Sequence, residues 1–168
     1  MKDQFNQEID GDLSLLGVGP KILLALCPFL VLFGILNAIF QPIFQIPLGY
    51  NWLLIIGIIL IILGVFVFIY SERIVKNAHD ISELITSKVY GYVRHPMYAS
   101  WGLGMLPGIL CLFNSWLLFF TLPIYYLIVR IFIIREEKFL LTKFGTEYAS
   151  YKKSVNAFFP KLKKYKPK

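Results

Sequence analysis

Two groups of residues in this 168-residue chain have types and spacing suited to chemistry. The first is the run Tyr90-Gly91-Tyr92-Val93-Arg94-His95-Pro96-Met97-Tyr98. Pro96 suits the first turn of a helix, where its missing N–H leaves no bond unmade, so His95 falls at or beside the N-cap. A helix start with free N–H groups, flanked by Arg94 and His95, is a seat for a carboxylate or phosphate. Gly102 and Gly104 follow and would let a ligand approach the backbone, although such glycines in apolar segments are more often helix-packing contacts.

The second group is Arg130, Arg135, Glu136 and Glu137. Arg130 and Glu137 are seven residues apart and share a helix face, with Glu136 about 100° away from Glu137. An arginine there can hold a carboxylate by two parallel hydrogen bonds, and a glutamate can take a proton from an ammonium. The plainer alternative is a snorkelling arginine beside a solvated acidic turn. His79 and His95 are the only histidines, and Cys27 and Cys111 show no paired spacing, so neither a metal centre nor a disulfide framework is expected.

The elements that must position these groups follow from where charge is missing. The chain is 57% apolar and 16% charged, against roughly 45–50% and 25% in soluble domains. No Asp, Glu, Lys or Arg occurs over 22–71 or 95–129. Since a spanning helix needs about 20 apolar residues, the first stretch predicts helices near 22–40 and 51–70. The second, broken at Asn114-Ser115, predicts a hairpin of 97–113 and 116–134.

The expected fold is therefore all-α: one polytopic membrane domain over 1–168, with about four transmembrane helices. Its parts are a cytosolic N-terminus (1–21), a two-helix hairpin (22–70), a cytosolic loop (71–96), a second hairpin (97–134), and cytosolic helices with a basic tail (135–168). Within the last part a helix should run to Gly145, followed by a short one over 146–155. The charged regions carry −2, +1 and +8 in chain order, the stated +7 in all. The positive-inside rule puts both termini and the charged clusters in the cytosol. Residues 1–19 are acidic where a cleaved signal would be basic, so the first helix should be retained. The tail lysines beside a membrane suit anionic lipid headgroups better than nucleic acid.

In this setting the sequence resembles the integral-membrane methyltransferases that include isoprenylcysteine carboxyl methyltransferase and the phospholipid N-methyltransferases. The resemblance covers 84–160. It rests on Thr86-Ser87 leading to Tyr90, on Arg94-His95-Pro96-Met97-Tyr98, on Gly102-Leu103-Gly104 and on Glu136-Glu137. It continues through Phe144-Gly145-Thr146-Glu147-Tyr148-Ala149-Ser150-Tyr151-Lys152-Lys153 to Phe159-Pro160. The pattern departs at Lys88, where many members have Gly, and at Ala99-Ser100.

The resemblance implies S-adenosyl-L-methionine as methyl donor, held by Tyr90, Arg94, His95, Pro96, Tyr98, Gly102, Gly104, Glu136 and Tyr148. The donor's carboxylate would meet His95, its amino group or ribose Glu136 or Tyr148, and its adenosine Tyr98. The acceptor would be lipophilic, entering sideways from the bilayer. If it is an isoprenylcysteine-like carboxylate, Arg130 would hold it; if it is a phospholipid amine, Glu137 would deprotonate it. NADPH-dependent membrane sterol reductases share an Arg-His-Pro turn but are usually much longer, and a small scaffold would explain the spans without the motifs.

The topology is open to cysteine-accessibility labelling in sealed vesicles. A cysteine at Gln45 should react only from outside and one at Ser154 only from the cytosol; the reverse at either position rejects this orientation.

Overall fold

The computed structural model describes residues 18–78 and 83–166. Residues 1–17, 79–82 and 167–168, and with them most of the expected N-terminal segment, His79 and part of the expected 71–96 loop, lie outside the described residues. The elements are α1 (Val18–Ile39), α2 (Gln41–Phe44), α3 (Tyr50–Ala78), α4 (Pro96–Ser100), α5 (Leu106–Cys111) and α6 (Thr121–Ser154). Short 3-10 turns at Lys88–Gly91 and Leu117–Phe120 precede α4 and α6. Among the described residues there is no sheet, only two isolated bridges.

Three helices are long and apolar enough to cross a bilayer, at Gly19–Ile39, Tyr50–Asn77 and Leu117–Ser154. Only 11%, 17% and 28% of their most apolar windows are buried within the protein. A helix apolar all round yet turned outward belongs in lipid, and the chain is an integral membrane protein. Cys27 is exposed and Cys111 buried, both as free thiols.

The run expected as one helix over 97–113 is built in three pieces: α4, a π turn at Trp101–Met105, and α5. Pro107 explains the break. It has no N–H for the carbonyl four residues back, and its ring would strike that carbonyl in a regular α-helix. The chain widens instead, and the Leu106 N–H donates to the Trp101 carbonyl. The segmented run is shorter than the other three spans, so the structure contains three long apolar helices and one composite run.

That composite run packs along α3 through glycines. A Cβ on Gly104 would lie 2.8 Å from the Gly64 Cα, and one on Gly108 would lie 2.7 Å from the Gly57 carbonyl oxygen. The two backbones touch because nothing stands between them, which is how helices associate where lipid removes the hydrophobic drive. On the other side α1 packs against α6, with Ile22, Leu26, Val129 and Ile133 in the core. Along α6 the buried row Tyr125, Val129, Ile133 and Glu137 recurs every fourth residue. Three turns of that row are apolar, and the next presents a carboxylate.

At the end of the bundle away from Glu137, Asn114 takes φ 48° and turns the chain from α5 towards α6. Asparagine visits this region at low cost. Ser115 bridges Gln45, and the Trp116 N–H donates to the Phe44 carbonyl at 3.0 Å.

Two further left-handed residues shape the site end. Gly145 (φ 53°, ψ −124°) folds α6 sharply, so it is two helical arms joined at one glycine, as the sequence suggested. Lys88 takes φ 54° where the family resemblance offers glycine. A matched pair of substitutions tests both. Gly145→Ala should lower stability by about 1–3 kcal/mol although a Cβ there touches nothing within 4 Å. Lys88→Gly should raise it by up to about 1 kcal/mol. Both are read by unfolding in mixed micelles.

Candidate functional site

The site grows from the meeting of two stretches far apart in sequence. After the Lys88–Gly91 turn, Val93 forms a parallel bridge with Asn156. The Arg94 N–H donates to the Asn156 carbonyl at 2.9 Å and the His95 N–H to the Ala157 carbonyl at 3.1 Å. Further along, the Lys161 and Tyr165 N–H groups donate to the Tyr92 and Gly91 carbonyls, both at 2.9 Å. The C-terminal segment is thus a strap beside the chain leading into α4, and it fixes where His95 and the buried Pro96 begin the helix.

α6 supplies the acids and then returns with their partners. Glu137 lies eight residues before Gly145 and Lys152 seven after it. At about 1.5 Å per residue the two arms are nearly equal, so the fold at Gly145 brings Lys152 back level with Glu137. Lys152 Nζ lies 2.9 Å from Glu137 Oε2. Arg94 Nε donates to Glu137 Oε1 at 3.0 Å, and Arg94 Nη2 donates to the same oxygen. Arg94 Nη1 donates to the carbonyls of Lys152, at 2.8 Å, and Val155. One buried guanidinium therefore ties Glu137 to the C-terminal end of α6, where a cation also meets the negative end of the helix dipole.

His95, 4% exposed, stands between the two acids. Its Nε2 is 3.4 Å from Glu137 Oε1 and its Nδ1 is 3.5 Å from Glu136 Oε1. Burial alone would lower its pKa, but the Glu136 and Glu137 carboxylates outweigh it and raise the group to about 9. The imidazole is then a cation with both nitrogens facing carboxylates. Three cationic groups (Arg94, His95, Lys152) against two acids (Glu136, Glu137) leave the cluster one positive charge in excess, which suits an anionic ligand.

Around the cluster stand four tyrosines. The Tyr98 ring is 5.9 Å from His95 and its phenol interacts with Glu136. The Tyr151 hydroxyl donates to the Tyr90 carbonyl at 2.6 Å. Tyr90 and Tyr148 are buried, and their hydroxyls have no hydrogen-bond partner. Burial first, then Glu136 and Tyr151, push the Tyr90 phenol well above its usual range. Two orphaned phenols in one place are unusual, since buried polar groups are nearly always paired.

Of the residues singled out from sequence, Tyr90, Arg94, His95, Pro96, Tyr98, Glu136, Glu137 and Tyr148 come together here. Gly104 does not: it lies against Gly64, its small size used by the α3 crossing. Gly102 faces the Tyr125 and Phe158 rings, 2.5–2.6 Å from where its Cβ would be. Arg130 is exposed and outside the charged cluster. It lies on the α6 face shared by Tyr126 and Glu137, between them. The expected open helix start at His95 is also modified, because His95 is engaged by both acids. Sequence reasoning gave no role to Lys152 or Tyr151. The near-equal spacing of Glu137 and Lys152 about Gly145 was the available signal for the former.

Beside Gly102 an apolar groove of about 270 Å³ opens, lined among others by Leu122, Tyr126, Phe158 and Phe159. The Tyr125 hydroxyl, donating to the Tyr98 carbonyl at 2.9 Å, connects its wall to the charged cluster.

Comparison with known proteins finds both a family and a similar fold. The sequence pattern of the phospholipid methyltransferase family matches residues 52–147, more than half of the chain. The fold is similar to a solved eukaryotic intramembrane Ras methyltransferase, isoprenylcysteine carboxyl methyltransferase, with a TM-score of 0.58 and 23% identity. That match covers 92% of this chain and 57% of the other, so the chain spans little more than half the length of that protein. No curated protein matches by sequence.

The charge on His95 makes the site sensitive to pH with a definite sign. A histidine raised from 6.5 to about 9 on folding adds stability that is complete below 6.5 and lost as the pH rises through about 9. The difference in melting temperature between the natural protein and His95→Gln should therefore narrow across that window. A difference constant with pH would mean that the buried imidazole is neutral.

Proposed function

Because the chain belongs to the phospholipid methyltransferase family, we propose that it transfers a methyl group from S-adenosylmethionine to the carboxylate of an isoprenylcysteine-like lipid. Both comparisons lead to methyltransferases, and neither supports the reductase alternative. When bound, S-adenosylmethionine supplies a methyl group activated on a sulfonium. The residues fit such a donor: Tyr90 and Tyr148 hold unpaired buried hydroxyls beside Glu136, whose side chain is 24% exposed. Glu136 would take the donor's amino group or ribose hydroxyls, the two phenols would complete that set, and Tyr98 would flank the adenosine. The positive excess over Arg94, His95 and Lys152 would attract its carboxylate. On this reading the charged cluster faces the cytosol.

The observation that carries the choice of acceptor is the saturation of Glu137. One oxygen is taken by Arg94 and His95, the other by Lys152. A carboxylate held this way is a poor general base, because it must give up cationic partners to accept a proton. An acceptor that is already nucleophilic needs no base. Arg130 lies between the groove residue Tyr126 and Glu137 on one face of α6, where it can hold an acceptor carboxylate bidentately while the apolar tail occupies the groove. Alignment and exclusion of water then do the remaining work.

A phospholipid amine is the second reading, favoured by the family's description. Labelled methyl transfer to an isoprenylcysteine analogue and, in parallel, to phosphatidylethanolamine separates the two. A base-labile methyl ester on the former is expected. Arg130→Lys should lower that activity about 10–100-fold, the worth of a charge-assisted hydrogen bond, with donor affinity unchanged. Methylation of the amine alone, with Glu137→Gln more damaging than Arg130→Lys and partly rescued at high pH, would overturn the carboxylate reading.

A further inference from the structure

The strap that fixes the start of α4 lines the apolar groove with Phe158 and Phe159, and beyond Pro160 it carries chemistry that the methyl-transfer reading does not use. Phe158 packs edge-on to Tyr126 at 5.4 Å between ring centres, and Phe159 lies 6.2 Å from the same ring. Both tyrosines of α6 at this level, Tyr125 and Tyr126, precede Arg130, the first charged residue after the uncharged stretch. The aromatic pair is therefore seated on the hydrocarbon side of the boundary. From Phe159 the chain climbs back along Tyr92 and Gly91, where Lys161 and Tyr165 are bonded.

Between those two bonds Leu162 projects fully exposed, flanked by the exposed Lys163 and Lys164, with exposed Lys166 beyond. The Lys161 ammonium is turned inward onto the Ser154 carbonyl at 2.7 Å, and the Lys164 stem lies over Gly91. Among the described residues Lys163, Lys164 and Lys166 form no ion pair with any carboxylate. An apolar side chain set among unpaired lysines, next to an aromatic pair at membrane depth, is the composition of an interfacial anchor. Its charge complements the negative surface of an anionic leaflet, which attracts each such lysine and fades within a Debye length.

We propose that residues 161–166 seat on anionic lipid headgroups, and that this seating steadies the Arg94–His95 turn through the strap's backbone bonds. The site would then be better ordered in an acidic bilayer than in a neutral one, whatever the methyl acceptor. The coupling is direct, because the segment that meets the headgroups also holds the Gly91 and Tyr92 carbonyls and continues from the Asn156 and Ala157 acceptors of Arg94 and His95.

Hydrogen exchange on the full chain in nanodiscs tests this without reference to methyl transfer. Discs of phosphatidylcholine are compared with discs in which about a third of the lipid is phosphatidylglycerol. Protection of peptides covering 91–96 and 155–166 should rise severalfold in the acidic discs, and added salt should remove the gain. The triple variant Lys163→Gln, Lys164→Gln, Lys166→Gln should match the natural protein in neutral discs and show no gain in acidic ones. Equal protection of the natural protein in both lipids overturns the proposal, as does an undiminished gain in the variant. A gain confined to 155–166 overturns the coupling to the turn.

Discussion

Everything at the charged end of this protein depends on one guanidinium being out of water. Arg94 has a side chain only 9% exposed, and burying it without partners would cost several kcal/mol. Its partners come from two places: the Glu137 carboxylate in mid-α6, and the Lys152 and Val155 carbonyls at the end of α6. Satisfying that fork needs the fold at Gly145, the return of the second helical arm, and the strap that holds residues 93–95 in place. Remove any of these and an uncompensated buried charge remains. The same requirement fixes His95 between Glu136 and Glu137, since residue 95 has no freedom once residue 94 is tied.

The membrane-embedded part is held differently. Its long helices bury little of themselves in one another, and their cohesion comes from close backbone approach, as at Gly57 with Gly108 and Gly64 with Gly104. Such contacts are dispersive and numerous but individually weak. The polar end adds directional bonds of fixed geometry. The molecule thus combines a lipid-facing part that tolerates changes of apolar side chain with a charged end that tolerates few.

Much of this was legible in the sequence because membrane solvation is a coarse filter. Uncharged stretches at 22–71 and 95–129 announce helices regardless of detail, and Gly145 and Asn114 sit where only residues that tolerate positive φ will serve. The gathering of Tyr90, Arg94, His95, Glu136 and Tyr148 followed from motif order. What failed to show was partnership across the fold. Gly104 reads as a ligand approach or, more often, as a helix contact, and only the position of Gly64 decides. Lys152 looks like any lysine on a solvated helix until the chain reverses at Gly145. The strap over 155–165 has no alternating pattern, because its hydrogen bonds are made by backbone, which every sequence possesses. The π turn is hidden for a related reason: Pro107 marks a disturbance without saying whether the helix will kink, end or widen.

The parallel bridge between Val93 and Asn156 also orders events in time. The chain emerges from the ribosome with Arg94 some sixty residues ahead of Val155 and Asn156, and α6 must be made and inserted between them. Until then the guanidinium has none of its acceptors and has to remain in water, with the first turn of α4 unanchored. The composite helical run can cross or enter the bilayer early, but the charged centre is assembled only once residues 152–157 have been made and close over it. A protein of this design separates insertion from maturation, and a stalled or truncated product would be integrated in the membrane yet lack a formed centre.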